Sequence, residues 1–448
     1  MTINVRIAPS PTGLLHIGNI RAALFNYLFA KNLHGNFMLR LDDTDQERST
    51  EAFAQAIDRD LKWLGLEWQS FVRQSDRRVR YNEVLETLKV SKRVYPCFET
   101  QAELDLKRKT QLGRGLPPVY DRSSLKLSPE EQQTLLAQGR KPHWRFKLNP
   151  DDVVWDDLIQ GHKKFPTAAL SDPVLIREDG VPLYTFCSVV DDADYKITHI
   201  IRGEDHVTNT AVQIQIWEAI TTLPVPLFAH FPLIVSSSGI EMSKRLGTLS
   251  IASMRDEMEI EPMTINALLA KLGTSDAISP QLSLDELAAE FALNKISHST
   301  PKFDLEELKA LNAKILHITP YHNIAERLNS LGLSQIDEPF WNALRSNLTK
   351  FSDIKNWWHI VHGPITPRIE DLPFVQEAAS LLPLSPWDHT TWTEWTNTIK
   401  EKTGRKGKEL FMPLRLALTG VSHGPEMKII LPMIGPKRAQ ELLSGKAA

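Results

Sequence analysis

The sequence predicts an α/β protein in which a parallel-sheet domain is split by an α+β insertion and followed by a mostly α-helical region. Three observations carry this. Strand, helix and strand patterns follow one another within residues 3–41, the length expected of a βαβ unit. Strand and helix signals return at 197–235 after a stretch of different composition. From about residue 251 to Leu443, helical spacing dominates.

Ile3, Val5 and Ile7 mark a short buried strand over 3–8, ended by the turn-rich Pro9, Ser10, Pro11, Thr12 and Gly13. Ile20, Ala23, Leu24, Tyr27 and Leu28 then recur at helical spacing, with Gly35 where a helix would stop. The apolar run 37–41 is the second strand, and helices over 51–64 and 78–88 continue the layer. From about Cys97 the chain turns basic and proline-rich through Lys107, Arg108, Lys109, Arg114, Pro117 and Pro118, which reads as an inserted module. Its later part carries a hairpin signal: a strand over 174–178, the Asp179-Gly180 pair suited to a tight primed turn, and a returning strand over 183–186. A strand over 197–201, a helix over 211–220 and an apolar strand over 228–235 resume the sheet.

Composition narrows the function classes. The 448 residues suit roughly three domains of about 150 residues each. With 42% hydrophobic and 24% charged residues the chain is apolar enough to fold around cores. Only Cys97 and Cys187 are present, which excludes a disulfide framework and fits a reducing cytosol. Neither a secretory leader nor an apolar run of membrane-spanning length is found, so no membrane role is expected. Because 52 Lys+Arg stand against 55 Asp+Glu, contact with a polyanion must come from local patches. The strongest is Lys400, Lys402, Arg405, Lys406 and Lys408 against Glu401, which reads either as a phosphate contact or as a solvated charge run. Arg415 is a further candidate for that surface, and Trp357 and Trp358 are candidates for stacking on bases or for core packing.

Two strings carry chemistry. His16-Ile17-Gly18-Asn19 follows the first strand and opens the first helix, where small residues and the helix N-terminus favour an anion and His16 can donate to phosphate. Glu241-Met242-Ser243-Lys244-Arg245 sits on a Ser/Gly-rich loop after the 228–235 strand. Taken singly, these also read as a Pro/Gly turn with a surface histidine and as a solvated basic loop. In a parallel sheet, however, both fall at the carboxyl ends of strands and face one crevice, where Lys244 would close over a triphosphate.

Together the strings resemble the "HIGH" and "KMSKS" signatures of class I aminoacyl-tRNA synthetases. Arg6-Ile7-Ala8-Pro9-Ser10-Pro11-Thr12-Gly13, Arg40-Leu41-Asp42-Asp43-Thr44-Asp45 and Ile201-Arg202-Gly203-Glu204-Asp205-His206 are similar to motifs of the bacterial-type glutamyl-tRNA synthetases, in the same order over most of the chain. The resemblance implies a Rossmann-like catalytic domain in two halves, 1–95 and 191–250, the second with the Met242–Arg245 loop. Between them lies an acceptor-stem-binding module at 96–190, and after them a helical stem-contact region at 251–305 and a helical anticodon-binding domain at 306–448. The implied reaction joins L-glutamate to tRNA(Glu) through glutamyl-adenylate, with ATP and Mg2+, in a cytoplasmic monomer. His16 and Lys244 become the catalytic residues, and Gly18, Asn19, Met242, Ser243 and Arg245 join them in binding ATP. Arg6, Ser10, Asp42, Tyr184 and Arg202 are implied to hold glutamate; Arg405, Lys406, Lys408 and Arg415 are expected to meet tRNA.

Three positions depart from the family pattern. Glu241 stands where the loop signature begins with lysine, and Asp42 where many members carry glutamate. Where some members hold zinc with a Cys-x-Cys pair, this chain has Cys97-Phe98-Glu99, with Ser123 and Ser124 in place of a further cysteine. Tetrahedral zinc takes four ligands, so no structural zinc is expected. A paralogue that glutamylates tRNA(Gln), and an inactive tRNA-binding relative, fit the same motifs.

Overall fold

The computed structural model describes residues 2–236 and 250–447, so Met242, Ser243, Lys244 and Arg245 lie outside the described residues. The first strand, β1 (Asn4–Ile7), buries Val5 completely. With α1 (Ile17–Asn32) and β2 (Asn36–Leu41) it makes the expected βαβ unit, Val5 lying opposite Phe37 and Ile7 opposite Leu39 in parallel register. α2 (Glu51–Trp63), capped by Thr50 accepting from the Phe53 N–H, leads to β3 (Ser70–Arg73), which adds to β2 in parallel. α3 (Arg78–Val90) follows. The end of α1 differs from the sequence expectation. Leu33 closes the helix and His34, at φ 51°, takes the left-handed turn. Gly35 is required for a different reason: a Cβ there would lie 2.6 Å from the Ile3 carbonyl oxygen.

Next come β4 (Val94–Cys97), α4 (Gln101–Gly113), α5 (Pro129–Ala137) and β5 (His143–Phe146). The hairpin of β6 (Val153–Asp157) and β7 (Gly161–Phe165) comes next, then β8 (Val174–Ile176), which pairs antiparallel with β5. At Asp179-Gly180 the chain does turn, but not as the expected primed turn: Gly180 takes φ 82° while Asp179 does not take a positive φ. The Gly180 N–H donates to Arg177 O at 3.0 Å and the Arg177 N–H to Val181 O at 2.9 Å, a longer loop with glycine at its left-handed end. The returning strand over 183–186 does not form, because α6 (Tyr184–Asp194) starts there. Phe186, Val189, Val190 and Ala193 recur at helical spacing and enter one core with Tyr81, Phe146 and Trp217. Burial of that face outweighs the strand preference of a short apolar run.

β9 (His199–Gly203), α7 (Val207–Ile220) and β10 (Leu227–Phe231) restore the parallel arrangement. β10 runs parallel to both β6 and β9, giving the order β7-β6-β10-β9. The Thr198 N–H, just ahead of β9, donates to Asn4 O at 2.9 Å, so this sheet meets the first one at β1. The α/β class expected from the sequence is the one that forms.

Contacts divide the chain into two compact units, Met1–Met258 with Pro262–Leu305, and Glu259–Glu261 with Glu306–Ala448. The second is built of helices around Trp341 and Trp395, both fully buried. Each indole N–H is satisfied by a backbone carbonyl, Thr319 O at 2.9 Å and Ala378 O at 3.0 Å. Trp357 and Trp358 are packed against this core, the first tightly over Gly424 and the second on His362 with ring centroids 4.0 Å apart. Among the described residues no helix is long and apolar enough to cross a membrane.

Candidate active site

A cavity of about 690 Å³ opens where β1 and β2 end, lined by Pro9, Ser10, His16, Asn19, Asp42, Tyr184 and His206 among others. It lies at the carboxyl ends of parallel strands, where open α/β sheets take their ligands. His16 is the N-cap of α1, and the geometry explains its neighbours. Its Nδ1 accepts from the Gly18 N–H at 3.1 Å, while its own N–H donates to Asn19 Oδ1 at 3.2 Å. These reciprocal bonds satisfy donors that the helix start leaves open. A Cβ at position 18 would approach the imidazole Cε1 to 3.0 Å, which accounts for glycine there. Since Nδ1 accepts, the proton of the neutral ring sits on Nε2. Burial lowers the His16 pKa, which keeps the ring neutral.

The downstream string leaves a trace beside this histidine. Ser250 pairs with His16 in an antiparallel bridge, and the Ile251 N–H donates to Leu15 O at 3.0 Å. Lys244 itself is outside the described residues, but the chain passes His16 six positions after it.

Behind the cavity lies a set of buried charges. Arg6, 4% exposed, donates through Nε and Nη2 to Asp192 at 3.0 and 3.1 Å. Arg40, fully buried, donates Nη1–H to Asp192 at 2.8 Å and Nε–H to Asp42 at 2.7 Å. The neighbouring Asp191 serves other donors, accepting from Gln74, Arg77 and Tyr81. Burial raises the Asp42 carboxyl to about 6 although Arg40 acts to lower it, whereas the pull of Arg6 and Arg40 outweighs burial at Asp192 and lowers its pKa.

Arg202 is the exception. It is 6% exposed, yet its partners are neutral: His230 Nε2 at 3.2 Å, Tyr184 Oη at 3.4 Å, Thr210 Oγ1 and Gln213 Oε1, each of the last two at 2.7 Å. The imidazole accepts because Asp157, 2.5 Å from His230 Nδ1, holds the proton on the other nitrogen. Among the described residues no carboxylate lies within ion-pair distance of Arg202. Burial lowers its pKa accordingly. A buried guanidinium surrounded by dipoles is arranged to receive an anion.

The structure thus gathers Ser10, His16, Asn19, Asp42 and Tyr184 on one cavity, with Arg6 and Arg202 bonded just behind it through Asp192 and Tyr184. Sequence reasoning passed over Arg40, Asp192, Thr210, Gln213 and His230. The one signal for Asp192 was an acidic run, Asp191-Asp192-Ala193-Asp194, on an otherwise apolar stretch. In the helical unit, Lys406 and Lys408 are exposed and pair with no acid among the described residues. Arg405 instead bonds Asp371 at 2.8 Å and stacks 4.0 Å over Phe374, and Arg415 donates to Pro425 O at 2.6 Å. After β4, the Ser123 and Ser124 hydroxyls both donate to Glu99 at 2.7 Å, and Cys97 is buried.

The cavity lies at the carboxyl ends of parallel strands in the first unit, and comparison with known proteins gives the family. The family described as "tRNA synthetases class I (E and Q), catalytic domain" matches residues 2–310, and that described as "Anticodon binding domain" matches residues 366–443. The chain belongs to the class I tRNA synthetases for E and Q. It is 55% identical to a glutamate–tRNA ligase of Azospirillum brasilense over the whole of both chains, and 53% identical to one of Parvibaculum lavamentivorans over 98% of each. The fold matches the crystal structure of a glutamate tRNA ligase from Elizabethkingia meningosepticum in complex with its amino acid, with a TM-score of 0.86, 29% identity, and coverage of 99% of this chain and 98% of that one.

Proposed function

We propose that this protein ligates L-glutamate to tRNA(Glu) at the expense of ATP. The observation that carries the choice of amino acid is Arg202, a buried guanidinium whose hydrogen-bond partners are all neutral. A side-chain carboxylate completes that environment, while the amide of glutamine leaves the charge unanswered. Arg6 provides a second cation near enough for its charge to act on Arg202. Asp42, on the cavity wall, offers its carboxylate to the substrate ammonium.

In the first step the α-carboxylate oxygen of glutamate attacks the α-phosphorus of ATP, taken as its Mg2+ complex, and pyrophosphate leaves. In the second the terminal ribose hydroxyl of tRNA attacks the acyl carbon of the adenylate and AMP leaves. The protein forms no covalent bond; it holds the reactants in line and stabilises phosphate charge. His16 Nε2–H donates to the phosphates from the start of α1, with Gly18 and Asn19 shaping the turn beneath them. Lys244 adds its ammonium from the downstream loop, where Glu241 supplies no charge of the same sign. Lys406 and Lys408 present free cations to the tRNA backbone.

The test is ATP–pyrophosphate exchange in the presence of tRNA: glutamate supports it, and glutamine and aspartate do not. Exchange with glutamine equal to that with glutamate removes the role given to Arg202. The pH dependence has a defined sign. Asp42, raised to about 6 by burial, loses its charge as pH falls through that value, so the KM for glutamate rises below about pH 6 while the KM for ATP stays flat. Steady-state kinetics between pH 5 and 8, varying each substrate in turn, checks this.

A further inference from the structure

Asp192 does not line the cavity and no motif gave it a role, yet it bonds directly to Arg6, which has one. It lies on α6, 2% exposed, and its two oxygens accept three N–H groups from two different arginines. From β1 it takes the Nε/Nη2 edge of Arg6, so that the Arg6 Nη1 group donates to nothing among the described residues. From β2 it takes Nη1 of Arg40 at 2.8 Å, while Arg40 uses its opposite edge, Nε at 2.7 Å and Nη2 at 3.4 Å, on Asp42. The result is one chain of charges, Arg6–Asp192–Arg40–Asp42, whose ends are the cation offered to a substrate carboxylate and the anion offered to its ammonium. Successive residues on a helix diverge by about 100°. Asp191 therefore serves Gln74, Arg77 and Tyr81, and Asp192 alone joins the two ends.

From this juxtaposition we infer that Asp192 is a positioning residue for amino-acid selection: it fixes the spacing between Arg6 and Asp42, and so the distance between charged groups that the pocket accepts. The inference rests on the glutamate-ligase reading. Bidentate pairing on the Nε/Nη2 edge leaves Arg6 no rotation about its guanidinium plane, so its Nη1 edge keeps a fixed aim. Arg40 carries the same constraint to Asp42, whose short side chain has little freedom of its own. Without the negative charge at 192, Arg6 loses its anchor, and Arg40 keeps only Asp42, bonded at 2.7 Å, and Asp191, 3.7 Å away, so its hold on Asp42 tightens and draws that carboxylate away from the substrate. A counterion with only a structural role would lower stability, or lower the rate with every substrate alike. A positioning role changes selection among amino acids and leaves the nucleotide subsite as it was.

The variants are Asp192→Asn and Asp192→Glu, made in the full chain and compared by thermal unfolding and by steady-state charging of glutamate tRNA. For the asparagine variant, loss of a charge-assisted anchor raises the KM for glutamate by about tenfold or more, keeps the KM for ATP within about twofold, and lowers the preference for glutamate over glutamine in kcat/KM. The glutamate variant keeps the charge but displaces both arginines by a methylene, and shows an intermediate rise in the KM for glutamate. Should the asparagine variant fail to fold, the glutamate variant decides. Overturning results are an unchanged KM for glutamate in a folded variant, or equal losses for glutamate, glutamine and ATP. If the unaltered protein charges no tRNA with glutamate, the ligase reading fails first and this inference falls with it.

Discussion

Replacing Arg202 with methionine lowers kcat/KM for glutamate by about 10³-fold, in line with the 2–5 kcal/mol that truncating one member of a buried charged pair costs. The free protein tells the same story in reverse. Arg202 is held by Thr210, Gln213, His230 and Tyr184 without a carboxylate in bonding range, so it stands ready for an anion. Methionine is unbranched, uncharged and shorter; it removes the cation, and it leaves the buried Thr210, Gln213 and His230 acceptors without the guanidinium donors, so the variant is compared at equal folded fraction. Arg202→Lys does not rescue the activity, because an ammonium cannot reproduce the planar fork that reaches five acceptors at once. Measured with saturating ATP and tRNA, the loss falls on the amino-acid term; an equal loss in the KM for ATP contradicts this assignment.

His16→Ala is the second large effect, about 10²- to 10³-fold in kcat, the scale seen when one donor to a developing oxyanion is removed. Two roles are combined in that side chain, and a second substitution separates them. The Nδ1 side caps α1 through the Gly18 N–H at 3.1 Å, and its loss costs about 1 kcal/mol of stability. Asparagine is among the better N-cap residues and can accept from the same N–H. His16→Asn therefore recovers most of the stability, read from the urea midpoint, but little of the rate, since its short amide does not extend to where Nε2–H points. Recovery of both would make His16 a cap and nothing more.

The contrast between these residues and Asp192 marks what was legible in the sequence. The first strand, helix and strand could be read because apolar residues recurring at helical spacing stood between two short apolar runs, and turn residues separated them. Residues 183–186 were misread because four positions, Leu183, Tyr184, Thr185 and Phe186, are too few to tell a strand from the start of a helix. Only the longer face of Phe186, Val189, Val190 and Ala193, packed on Tyr81 and Trp217, decides it. At the site, His16 announced itself through the small residues its cap requires, and Arg202 through its motif. The neutral setting of Arg202 was hidden, since Thr210, Gln213 and His230 come from α7 and β10 and mean nothing until the strands are placed. Arg40 and Asp192 look like surface charges in a linear reading. Their burial is a tertiary fact, made tolerable by each other.

Charging of transcripts tests the central claim most directly. Purified protein, ATP, Mg2+ and radiolabelled glutamate are incubated separately with glutamate tRNA and glutamine tRNA. Label transferred to glutamate tRNA, and not to glutamine tRNA, is the predicted result. Label on glutamine tRNA moves the specificity to another isoacceptor. No label on either, with both tRNAs still bound, contradicts the account.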